Sequence, residues 1–69
     1  MNTIDFLSSE IKKRRKLLNL TQSDLSEISE VSLRSLKAIE TTEGNPSLNQ
    51  LEKVLDSLGL KIEIGVKIK

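Results

Sequence analysis

Cysteine and histidine are both missing from this 69-residue chain, and so are tryptophan and tyrosine. Without cysteine no disulfide can constrain the unfolded state, and without cysteine or histidine no ordinary zinc site can form. Asp and Glu remain as ligands for hard cations, yet no spaced carboxylate loop occurs. With a single Phe, stacking on unpaired bases is a poor basis for recognition, which favours duplex over single-stranded nucleic acid. Charge of one sign is also lacking: 11 basic and 10 acidic residues leave a formal net charge of +1. Any nucleic-acid affinity therefore depends on where the basic residues sit. No apolar run is long enough for a signal peptide or a membrane span, so a soluble, cytoplasmic protein is expected. No glycine-rich phosphate loop or paired acidic constellation appears, so neither an enzyme nor a cofactor is expected.

Length sets a further bound. A chain this short is one domain and buries only about 60% of its unfolded surface. With disulfides and metals excluded, oligomerisation is the remaining stabiliser.

What is present is a series of short amphipathic segments. From Ile4 to Leu18 the residues Ile4, Leu7, Ile11 and Leu18 fall on one helical stripe, and Asn19 suits the left-handed residue that ends a helix, with Leu20 folding back. Thr21-Gln22-Ser23-Asp24 has the form of a capping box and opens a second, short helix whose apolar face is Leu25 and Ile28. Ser29-Glu30-Val31 reads as a tight turn carrying one buried aliphatic. Ser32 caps a third helix with Leu36 and Ile39 inward. Thr41 to Pro46 is dense in helix breakers. Ser47-Leu48-Asn49-Gln50 is a second capping box, starting a helix with Leu48, Leu51, Val54, Leu55 and Leu58 on one face and Gly59 at its end.

The tail changes period. Leu60, Ile62, Ile64, Val66 and Ile68 alternate with Lys61, Glu63, Gly65, Lys67 and Lys69, the pattern of a strand. Nothing else in the chain reads as a strand, so its backbone groups have no partner within it. The simplest remedy is the same strand from a second subunit, antiparallel about a two-fold axis, with Leu60, Ile62, Ile64, Val66 and Ile68 as dimerisation residues. A strand added to a different protein, or a tail that orders only in a complex, are the alternatives. The expected fold is mainly α: a four-helix domain over residues 1–59, with residues 60–69 a C-terminal dimerisation strand of the same domain.

Two short helices joined by a tight turn and flanked by longer ones suggest a helix-turn-helix. Arg15, Leu20-Thr21-Gln22, Leu25, Val31-Ser32, Ile39-Glu40 and Asn45-Pro46-Ser47-Leu48 resemble, in order and spacing, the XRE (phage Cro/repressor-like) helix-turn-helix family, over nearly all of residues 7–59. Two positions depart from that pattern. Glu30 stands where the turn usually has Gly, at a cost of about 1 kcal/mol if φ is positive. Ser26 stands where a small Ala is usual.

The motif implies that the third helix, about Ser32 to Glu40, lies in the major groove with its N-terminal residues at base edges. With Leu36 and Ile39 inward, Leu33, Arg34 and Lys37 face out. Arg34 is the expected base reader, since a guanidinium bonds guanine bidentately, while Leu33 offers only apolar contact, for example to a thymine methyl. The resemblance assigns base or phosphate contacts to Ser32, Leu33, Arg34 and Lys37. Gln22, in the first turn of its helix, suits a phosphate oxygen, with Ser23 and Ser35 as secondary phosphate contacts. For Arg34 and Lys37 the competing reading is a solvated helix face.

The basic run Lys12-Lys13-Arg14-Arg15-Lys16 spreads over about 400° of helical arc and cannot all face DNA. Arg15 falls on the buried stripe and needs an anionic partner. The family resemblance implies that the partner is Glu40, an ion pair joining the first helix to the third. The tail after Leu58-Gly59-Leu60 looks like the HipB-type antitoxins, which implies a palindromic operator, autoregulation and a HipA-type kinase toxin as partner. A stand-alone XRE repressor is the alternative within the class. A protein-interaction module keeping a vestigial helix-turn-helix scaffold is the alternative outside it.

Overall fold

Helix ends, rather than helix interiors, carry most of the local sequence information in this chain. The computed structural model describes residues 3–42 and 45–66, and contains α1 (Thr3–Leu17), α2 (Gln22–Ser29), α3 (Leu33–Glu40) and α4 (Leu48–Ser57). Each short helix begins on a hydroxyl cap. The Thr21, Ser32 and Ser47 side chains accept from the backbone N–H of Asp24, Ser35 and Gln50 respectively. At α2 the box is reciprocal: the Thr21 N–H donates to Asp24 Oδ2 at 2.9 Å, and the Asp24 N–H to Thr21 Oγ1 at 3.0 Å. These bonds hold the Asp24 carboxyl below the usual carboxylate range, the Thr21 backbone N–H being the larger cause.

Two helices end in the same way. After α1, Asn19 adopts φ 58°, its N–H bonds Lys16 O and the Leu20 N–H bonds Arg15 O. After α4, Gly59 adopts φ 73°, its N–H bonds Asp56 O and the Leu60 N–H bonds Leu55 O. Both are Schellman endings, which satisfy orphan carbonyls and turn the chain back over its own last turn. Leu20 and Leu60 are thereby brought against the core.

The core is assembled from all four helices and the α2–α3 turn: Ile11, Leu25, Val31, Leu36, Ile39, Leu51, Val54, Leu55 and Leu58. Helix α2 packs on α4 and on α3, and α1 packs on α3. Full burial of each large aliphatic contributes roughly 1.5–3 kcal/mol.

Several apolar residues depart from the faces their spacing predicts. Ile4 and Leu18, the ends of the α1 stripe, are exposed, and Leu18 lies beyond the helix. The buried positions of α1 are Ser8, Ile11 and Arg15, so the inward face is largely polar. On α2 the inward residues are Leu25 and Ser29, and Ile28 is exposed. Leu48 is exposed at the first turn of α4, before the helix reaches the core.

The strand expected over the tail is not formed within one chain. Residues 60–66 have no helix and no sheet pairing, and Ile64 and Val66 are exposed. Ile68 lies outside the described residues, as do Glu43 and Gly44 of the loop before α4.

Candidate nucleic-acid interface

The turn between α2 and α3 sets the angle of the reading helix. Glu30 occupies the left-handed region at φ 60°, ψ 24°, which closes the connection at the cost expected for a residue with a Cβ. Two serines brace it. Ser26 Oγ donates to the Val31 carbonyl at 2.6 Å, and the Val31 N–H donates to Ser29 Oγ at 3.3 Å. Ser26 thus does what an alanine could not, satisfying a carbonyl beside the buried Val31.

From that turn α3 runs with Leu36, Ile39 and Glu40 buried. Arg34 and Lys37 are exposed, and Leu33 is half-buried. Residues three apart on a helix are neighbours, so Arg34 and Lys37 form a short basic strip on the outward face. At its start Ser32 Oγ accepts the Ser35 N–H at 3.1 Å and donates to Ser35 Oγ at 3.0 Å. Ser32 is therefore occupied as a cap, whereas the Ser35 hydroxyl accepts and keeps its own proton to donate.

The other end of α3 is fixed by a buried charge cluster. Arg15 of α1 donates from Nε to Glu40 Oε2 at 2.7 Å and from Nη2 to Glu40 Oε1 at 3.0 Å. Its Nη1 donates to the Leu20 carbonyl at 2.8 Å. Hydrogen bonding to Glu40 holds the guanidinium still further from deprotonation, outweighing the opposite effect of burial. Gln22 Nε2 also reaches Glu40 Oε1, at 3.3 Å. One carboxylate therefore ties together α1, the first residue of α2 and the last of α3. Gln22 retains its second amide proton and its Oε1 for another partner. Ser23 is exposed beside it. Because Asp24 and Thr21 satisfy each other, the backbone N–H groups of Gln22 and Ser23 are the open donors of this helix start.

Residues 11–64 match the family model described as helix-turn-helix. This chain belongs to the XRE-type helix-turn-helix family. The match spans the helix-turn-helix from the middle of α1 into the tail, and the family is one of DNA-binding proteins. No curated protein matches the chain. Among the described residues of this helix-turn-helix protein, no helix is long and apolar enough to cross a membrane, and no three His, Cys, Asp or Glu residues cluster as metal ligands would.

Two contacts of the scaffold were not singled out by sequence. Arg14 Nε donates to the Leu58 carbonyl at 2.9 Å, placing a cation on the C-terminal end of α4. Ser8 donates from Oγ to the Ile39 carbonyl, a small buried residue at the contact of α1 with α3. Ser8, Ile11 and Arg15 do recur at helical spacing, but a search for apolar side chains alone passes over two of them.

Proposed function

We propose that this protein is a sequence-specific double-stranded DNA-binding transcriptional repressor that works as a homodimer on a palindromic operator. One observation carries the reading: α3 exposes Arg34 and Lys37 together while Leu36, Ile39 and the Glu40–Arg15 pair fix its inner face. In this reading Arg34 reads a base, with Leu33 packing on a neighbouring methyl, and Lys37 contacts a phosphate or a base edge. Gln22 and the open N–H groups at the start of α2 hold a phosphate, helped by Ser23 and Ser35. Ser32 acts mainly by capping the helix. A palindromic operator follows from two such helices related by a two-fold axis, and dimerisation falls to the tail residues Leu60, Ile62, Ile64, Val66 and Ile68.

Operator selection from random duplexes, followed by binding at several salt concentrations, tests the proposal. Retained sequence preference with a steep fall in affinity as salt rises supports it, because phosphate neutralisation releases counterions. Absence of any duplex binding at low salt would leave the helix-turn-helix as a scaffold for protein contacts only.

Within this reading we favour an antitoxin that represses its own operon and neutralises a HipA-type kinase, a cytoplasmic role without enzymatic activity of its own. That assignment rests on the likeness of the tail to HipB-type antitoxins. Purification of the tagged protein from its native cell, with and without nuclease, tests it. A kinase-like protein that stays bound after nuclease supports the antitoxin role, and recovery of DNA alone points to a stand-alone repressor.

A further inference from the structure

The tail leaves the Gly59 turn between two open grooves. On the α1 side lies a groove of about 390 Å³ whose apolar lining is Phe6, Leu7, Leu17, Leu55, Leu60 and Ile62, with the charged side chains of Glu10, Lys13, Arg14 and Lys61 also contributing. On the other side is one of about 410 Å³ bordered by Glu52, Lys53 and Asp56. The first is the apolar one, and Phe6 and Leu17 in its wall are 53% and 69% exposed. Exposure also climbs along the tail: Leu60 packs on the core, Ile62 is 44% exposed, and Ile64 and Val66 are 97% and 92% exposed. The protomer thus carries an unfilled apolar groove directly beside apolar side chains it cannot cover itself.

We propose that this groove receives Ile64 of the partner subunit, with the two tails paired antiparallel in the register centred on Ile62. This rests on the homodimer reading above. A two-fold axis perpendicular to a strand pair sets residues of one face opposite each other, so only a few registers keep the apolar face together. Centred on Ile62, Leu60 lies opposite Ile64 of the partner subunit, and Lys61 lies opposite Glu63 of the partner subunit, twice. Lys61 and Glu63 already pair within one tail, Nζ to Oε1 at 2.9 Å, and both side chains are exposed. Opposite charges across a strand pair are favourable and like charges are not. Centring on Glu63 sets the two Glu63 side chains against each other, and centring on Ile64 sets Lys61 against Lys67. Centring on Gly65 pairs Glu63 with Lys67 but sets Lys61 against Lys69 and carries Ile64 away from the groove. Only the Ile62 register joins charge complementarity to a filled groove.

The chain has no cysteine, so single cysteines report the register directly. Directly opposite residues have Cα atoms about 4.5–5.5 Å apart, within the span a disulfide bridges. Sedimentation of the full chain is combined with mild oxidation of I62C, E63C, I64C and G65C. The expected result is a dimer in which I62C cross-links fastest, by at least about tenfold over E63C and G65C. L17E, on the groove wall, is expected to raise the dimer dissociation constant by about tenfold or more with helical circular dichroism unchanged. A dimer that cross-links fastest at E63C, I64C or G65C overturns the register and leaves the homodimer standing. A dimer indifferent to L17E removes the groove from the interface. A monomer at micromolar concentration overturns the register, the groove assignment and the homodimer together, and leaves the groove to a different protein.

Discussion

Replacing Glu40 by Ala removes the acceptor of three hydrogen bonds, two from Arg15 and one from Gln22, and strands a guanidinium inside the domain. The Glu40 side chain is 1% exposed and that of Arg15 is 11% exposed, so water replaces little of what is lost. Breaking a buried ion pair by deleting one partner costs about 3–5 kcal/mol. Arg15 keeps its bond to the Leu20 carbonyl and a small opening to solvent, which sets the expected loss near the lower end, about 3 kcal/mol. Total stability for a domain of this size is roughly 3–10 kcal/mol, so the loss is a large share of the whole. At roughly 4–8 °C per kcal/mol the melting midpoint should fall by about 12–24 °C. The assay is thermal and urea unfolding followed by helical circular dichroism, at one protein concentration because dimerisation is coupled to stability. The double variant R15M/E40L removes both charges and should recover most of the loss, since well-packed apolar replacements of buried pairs are often neutral. A loss below about 1 kcal/mol for Glu40→Ala, or a double variant no more stable than the single one, would falsify the account of this cluster as the tie between α1 and α3.

Further outcomes follow from individual side chains. Arg34→Ala should leave the melting curve unchanged and reduce discrimination between operator and scrambled duplex by about 1–3 kcal/mol, measured by competition binding; unchanged discrimination removes Arg34 as a base reader. Glu30→Gly should stabilise the domain by about 1 kcal/mol, because the left-handed φ of 60° then carries no Cβ penalty; a lower melting midpoint would contradict the strain argument. Thr21→Ala should cost about 1 kcal/mol through loss of the N-cap. The Asp24 carboxyl has its folded-state pKa lowered by the Thr21 bonds, so its contribution is present above the ordinary carboxylate range and disappears as pH falls through the lowered value. Asp24→Asn should accordingly flatten the acid limb of the stability profile, and an unaltered limb would exclude the box as a source of acid sensitivity.

Capping residues made helix starts legible from sequence because their physics is local. Thr21, Ser32 and Ser47 each satisfy a backbone N–H three residues on, whatever the rest of the chain does. Asn19 and Gly59 mark helix ends for the same reason, as residues tolerant of positive φ. Faces were less legible. Spacing predicts Ile4, Ile28 and Leu48 inward, but a face is buried only where another element covers it, and these three stay exposed. Two small polar residues were hidden by their type: Ser8 is buried with its hydroxyl on the Ile39 carbonyl of α3, and Ser29 with its hydroxyl accepting the Val31 N–H of the adjoining turn. Arg15, by contrast, was legible because a cation on a buried stripe requires an anionic partner.

The sequence by itself determined the number and order of the helices, the caps that bound them and the period change at Leu60, all features of short-range geometry. Only the tertiary structure decided that Gln22 shares the Glu40 carboxylate with Arg15, that Arg14 closes the end of α4, and that Phe6 and Leu17 flank the tail in an open groove. Those contacts join residues far apart in the chain, and no local pattern encodes which distant side chain will be there to meet them.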